Sequence, residues 1–112
     1  MIKLNIDKYV FYTYFISGGG FLKVILSSLA KKQLSRSPEH IGRKFDYWLD
    51  LIQMLGLREN RKYKGFHDEP LQGDRKNQRS VRLSKAYRAI YREVNEHSYE
   101  VIEIMEVNKH DY

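Results

Sequence analysis

The most regular hydrophobic pattern in the chain runs from Ile41 to Leu55. Ile41, Phe45, Trp48, Leu49, Ile52 and Leu55 recur at three- and four-residue intervals, the spacing that lines up one buried face of an α-helix. Ser37 can cap this helix, Pro38 suits its first position, Glu39 complements the positive end of its dipole, and Gly56 supplies a left-handed stop. Ahead of it, residues 21–27 (FLKVILS) read as a buried strand and residues 28–35 as a short basic helix carrying Leu29, Ala30 and Leu34. Behind it, residues 58–78 hold no period and contain Gly65, Pro70 and Gly73, which makes them a loop. Residues 79–83, 87–94 and 99–107 then read as three strands whose connectors are short enough for hairpins. The pattern predicts an α+β domain of order β-α-α-β-β-β. Its two N-terminal helices pack on one face of a small antiparallel sheet and leave the other face open.

Residues 1–20 stand apart. The aromatic run at 9–16 (YVFYTYFI) is β-prone, and three glycines at 18–20 separate it from the domain at 21–112. Such an extension can add an edge strand, pack on a partner, or represent sequence upstream of the true start. The run lacks the small-x-small site of a secretory signal and falls far short of the roughly 20 apolar residues of a membrane span.

Composition narrows the class. A chain of 112 residues with 42% hydrophobic and 30% charged residues is a single globular domain. Without cysteine it forms no disulfide or thiolate metal site, and the cytoplasm is its expected location. The formal charge of +6 is uneven along the chain. Eleven basic residues lie between Arg58 and Arg92 (Arg58, Arg61, Lys62, Lys64, Arg75, Lys76, Arg79, Arg82, Lys85, Arg88, Arg92) against four acids (Glu59, Asp68, Glu69, Asp74). From Glu93 onward six acids face Lys109 alone. A local positive patch is the footprint of a polyanion such as nucleic acid, and binding through it is salt-sensitive.

If Val81 and Leu83 face the helices, Ser80 and Arg82 face the open side, and hairpin pairing brings Tyr87, Arg88 and Tyr91 alongside. The preceding loop offers Lys62, Lys64, His67, Asp68 and Glu69, and the last strand runs into Lys109, His110, Asp111 and Tyr112. Cleaving RNA requires a base for the 2′-hydroxyl, an acid for the leaving 5′-oxygen and fixed cations for the phosphorane charge. Histidine, with a pKa of about 6.5, serves either proton step. Arginine's planar fork binds phosphate at two points and stays charged.

The run KYKGFHDEPLQGDRKNQRSVRLSKAYRAIY, closed by VIEIMEVNKHDY, resembles the RelE/ParE toxin superfamily. The shared features are a P-L-x-G turn, an arginine-bearing strand (RSVRLS), a Y-R-x-I-Y strand and a short histidine-containing tail. Residues 24–52 are similar to that family's opening strand and paired helices, so the likeness spans about residues 21–112. It implies a toxin of a type II toxin–antitoxin system: an endoribonuclease that cuts messenger RNA without metal or other cofactor, on the ribosome, and is held by an antitoxin protein. It also implies roles. Arg88 matches a phosphate clamp, His110 the terminal acid or base, Lys64 a proton-transfer or phosphate group, and His67 with Asp68 the H-x-x-P-L arrangement of one nuclease branch. Lys62, Arg82 and Tyr112 would contact the RNA, and the basic patch adds Arg79 and Lys85 to those contacts.

Two other functions fit the same fold: a ParE-like toxin that binds DNA gyrase and cuts nothing, and a non-catalytic RNA-binding domain. Individual residues also have plainer readings. Arg88 can form a surface ion pair with Glu100 or Glu103, and His110 can lie in solvent near the terminus. His40 and His97 read as structural or solvent-facing, and no ligand spacing marks a metal site.

Overall fold

The computed structural model describes the backbone of residues 2–6, 9–15, 21–94 and 99–109, and the side chains of residues 22–94 and 101–109. Strands β1 (Ile2–Ile6), β2 (Tyr9–Phe15) and β3 (Phe21–Leu26) lead into helices α1 (Ser28–Arg36), α2 (Glu39–Leu55) and α3 (Leu57–Asn60). Strands β4 (Glu69–Pro70), β5 (Arg79–Arg82), β6 (Tyr87–Glu93) and β7 (Tyr99–Lys109) follow. They form one sheet in the order β1-β2-β3-β7-β6-β5-β4.

The sheet is mixed rather than wholly antiparallel. The meander β5-β6-β7 is antiparallel, but β7 lies parallel to β3, from Phe21 opposite Tyr99 to Leu26 opposite Ile104. Parallel strands need a long crossover, and the helices between β3 and β5 supply it. The N-terminal extension adds two strands, β2 pairing antiparallel with β3 and β1 with β2.

Ile41, Phe45, Trp48, Leu49 and Ile52 of α2 are buried as the periodicity requires, with the Trp48 ring 5.1 Å from that of Tyr91 and tilted 57° to it. Leu55 departs from the expected stripe: it is 40% exposed. The chain turns away at Gly56 (φ 84°), and Leu57, fully buried, takes the next place in the core. Ser37 departs too. Its hydroxyl and its N–H both donate to the Leu34 carbonyl, at 2.6 and 3.2 Å, closing α1 instead of opening α2. The start of α2 has no side-chain cap.

Ser27 caps α1 and anchors it to the sheet. Its hydroxyl accepts from the Ala30 N–H at 3.0 Å and donates to the Met105 carbonyl at 2.7 Å. Met105 lies where the β6–β7 register shifts, because Ile90 pairs with Glu106 while Tyr91 pairs with Ile104. Gln33 of α1 accepts the Val107 N–H at 2.7 Å beside it. This β-bulge resets the alternation of β7. Ile102, Ile104 and Val107 are all buried in the core, and Glu106 and Asn108 fall on the opposite face. Among the described residues no helix is long and apolar enough to cross a membrane.

A candidate nucleic-acid interface on the open sheet face

Val81 on β5 and Ala89 and Tyr91 on β6 belong to the core under the helices. Side chains alternate along a strand, so Ser80, Arg82, Arg88, Ile90 and Arg92 lie on the face that the helices leave uncovered. Registration then places Arg82 directly opposite Arg88, and Arg88 directly opposite Asn108. Two guanidinium groups and an amide thus form one row across β5, β6 and β7. Like charges directly opposite one another disfavour a sheet, and the Nε of Arg88 is buried with no hydrogen-bond partner among the described residues. Within this row the Arg88 Nε is the unused donor that an incoming oxyanion could take, while the Asn108 amide already donates to Glu106 at 2.6 Å.

The patch is smaller than the linear sequence suggests. Strand pairing brings the acidic end of the chain beside the basic middle. Arg92 pairs with Glu103 at 3.0 Å, Arg61 with Glu93 at 2.8 Å and Arg75 with Glu106 at 3.0 Å. Lys62 bonds Glu59 at 3.0 Å and Arg79 bonds Asp68 at 2.6 Å. Glu103 therefore serves Arg92, not Arg88. Lys85 is exposed at the β5–β6 turn, where Ser84 Oγ accepts from the Ala86 and Tyr87 N–H groups, both at 3.1 Å.

The loop ahead of β5 is pinned at two adjacent points. Phe66, only 3% exposed, packs against Tyr47, with the Lys44 ammonium 4.9 Å from the centre of its ring. The Asp68 side chain is 2% exposed and accepts from Arg79 Nε at 2.6 Å and from the Tyr91 hydroxyl at 2.6 Å. Burial, together with the Asp68 carboxylate, pushes the Tyr91 phenol well above its usual pKa. Between these anchors His67 is exposed and held at φ 44°, ψ 52°, a left-handed conformation uncommon outside glycine. Strained backbone of this kind clusters at functional sites.

Of the residues singled out in the sequence, Arg82 and Arg88 lie together on the open face, and Lys62, Lys64 and His67 are exposed on the pinned loop. Arg79 does not join them. It pairs with Tyr91 across the sheet, on the helix side, and is bound to Asp68. Tyr87 and Tyr91 also turn to the helix side, because Arg88 and its immediate neighbours must point to opposite faces; Tyr91 is fully buried against Trp48. The alternation of Tyr87, Ala89 and Tyr91 against Arg88, Ile90 and Arg92 was the signal for this. The Asp68–Tyr91–Arg79 network was not legible, since its members are far apart in the chain. His40 is exposed. His97, His110 and Tyr112 lie outside the described residues. Among the described residues, no three His, Cys, Asp or Glu side chains are grouped to hold a metal ion.

No protein-family model matches the chain, and no curated protein sequence matches it. Solved structures do. A YoeB/ParE toxin from Agrobacterium tumefaciens superposes with a TM-score of 0.58 at 20% identity, over 79% of this chain and 98% of that one. YafQ from E. coli strain BL21(DE3) superposes with a TM-score of 0.58 at 17% identity, over 77% of this chain and 90% of that one. The chain therefore has the fold of these two structures.

Proposed function

We propose that the protein is the toxin of a type II toxin–antitoxin system and that it cleaves messenger RNA by acid–base chemistry without a metal. The observation that carries this reading is the Arg82–Arg88 pair, opposite each other on the sheet face away from the helices, with the Arg88 Nε buried and without a hydrogen-bond partner among the described residues. A phosphate seated there gives the Arg88 Nε an acceptor.

In this reading Arg88 holds the scissile phosphate. A base removes the proton from the RNA 2′-hydroxyl, the 2′-oxygen attacks phosphorus, and an acid protonates the departing 5′-oxygen. The products carry a 2′,3′-cyclic phosphate and a 5′-hydroxyl. His110, two residues beyond Asn108 in sequence, is assigned one proton transfer, with Lys64 or His67 the other. Arg82, Lys62, Lys85 and Tyr112 contact the flanking RNA. Arg79 contributes by holding Asp68, and through it the loop that carries His67. The ribosome as the place of cleavage and an antitoxin as the restraining partner belong to the same proposal, and they rest on the sequence resemblance to the RelE/ParE superfamily.

Induced expression of wild type and His110→Ala, with growth and transcript 5′ ends measured together, tests the reading. Wild type should arrest growth and create new 5′ ends within coding sequences, and His110→Ala should do neither at comparable expression. Growth arrest without new transcript ends would instead indicate a gyrase-type toxin.

A further inference from the structure

Tyr63 is 47% exposed, the aromatic residue between two exposed lysines, Lys62 and Lys64. It lines an open groove with both of them and with Leu55 and Glu59. The groove is open to solvent and offers about 540 Å³ over its surface, room for one nucleobase. Its backbone is fixed. The Tyr63 N–H donates to the Asn60 carbonyl at 3.1 Å, and the Tyr63 carbonyl accepts from the Phe66 N–H at 3.3 Å. Phe66 in turn is buried against Tyr47 of α2.

We propose that Tyr63 is a stacking platform for one unpaired nucleobase of the bound RNA, with Lys62 and Lys64 on the adjoining phosphates. This rests on the RNA reading above and adds a second contact region to it. The groove's chemistry favours a nucleotide over an apolar peptide. Tyr63 and Leu55 offer a flat aromatic surface and an aliphatic wall, but Glu59, Lys62 and Lys64 charge the rim. A peptide helix would have to strip water from all three charges. A nucleotide uses them: phosphate meets the lysines, and the Glu59 carboxylate, now 3.0 Å from Lys62 Nζ, can accept from an exocyclic amino group. Aromatic platforms flanked by cations are the general solution for single-stranded nucleic acid, and each stacked base contributes about 1–3 kcal/mol by alanine substitution.

The test is anisotropy of a labelled short single-stranded RNA titrated with the full chain, and with Tyr63→Ala, Tyr63→Phe and Arg88→Ala. Tyr63→Ala should weaken binding by about 5- to 150-fold, the equivalent of that stacking energy, and Tyr63→Phe should stay within about twofold because the ring remains. Stepping one abasic nucleotide along the RNA should reveal a position that weakens wild type and leaves Tyr63→Ala indifferent. Wild-type affinity in Tyr63→Ala, or an abasic penalty that Tyr63→Ala shares, overturns the platform. If Arg88→Ala alone loses affinity, the platform is wrong and the RNA reading stands; if wild type binds no RNA, both fall.

Discussion

Replacing Arg88 with methionine should make the protein more stable and less able to bind RNA. A buried polar atom without a partner costs about 1–3 kcal/mol, and among the described residues Arg88 Nε has none. The guanidinium also faces Arg82 directly across the β5–β6 ladder, an arrangement that costs a further few tenths to about 1 kcal/mol. Methionine keeps the unbranched stem and removes both penalties. The rest of the Arg88 side chain is only partly buried, so the lower end applies and the expected gain is about 1 kcal/mol. For a domain of this size that is a rise in Tm of about 4 °C or slightly more. Urea and thermal unfolding of wild type and Arg88→Met measure it directly. Arg43→Met serves as the control, since Arg43 forms only an exposed pair with Glu39 on α2 and should shift stability by less than about 0.5 kcal/mol. A loss of 1 kcal/mol or more in Arg88→Met would refute the reasoning, because the guanidinium would then be part of the scaffold rather than a group kept for a ligand.

Three further outcomes follow from the same structure. Asp68→Ala leaves Arg79 and the Tyr91 hydroxyl without their buried acceptor and should cost about 3–5 kcal/mol in urea unfolding, whereas Tyr91→Phe, which spares the ion pair, should cost about 1–2 kcal/mol. The raised Tyr91 pKa keeps its proton in the folded state at pH values where the unfolded chain has lost it. Its contribution is therefore complete below about pH 10 and declines as pH rises further, and Tyr91→Phe should show a shallower alkaline decline. Removing residues 1–20 should leave one cooperative unfolding transition, because β3 pairs with β7 without help from β2; an unfolded truncated chain would make β1 and β2 part of the obligate core.

What was legible in the sequence depended on local periodicity. The buried face of α2 was readable because its apolar residues repeat at helical spacing, and Gly56 marked its end. Facts set by pairing between distant segments were not. Neither the parallel β3–β7 contact nor the bulge at Met105 leaves a periodic trace, yet the bulge is what brings Asn108 beside Arg88. Ser37 has the composition of a helix cap, but it follows one helix as closely as it precedes another, and it closes the first. Counting charges along the chain overstated the basic patch, because acids remote in sequence reach Arg61, Arg75 and Arg92 across the fold. Within the candidate site, Arg82 and Arg88 were found from alternation, whereas strict use of the same alternation would have turned Tyr91 inward.

The central claim is that the open face cleaves RNA with Arg88 on the phosphate and His110 in a proton transfer. Its most direct test is chemical analysis of the RNA ends formed when the purified protein meets a messenger on programmed ribosomes. Wild type should generate 2′,3′-cyclic or 3′-phosphate ends with matching 5′-hydroxyls. Arg88→Ala should slow this by about 10²- to 10³-fold and His110→Ala by about 10²- to 10⁴-fold, with Arg43→Ala unchanged. Equal cleavage by all four proteins, or none by wild type, would contradict the account.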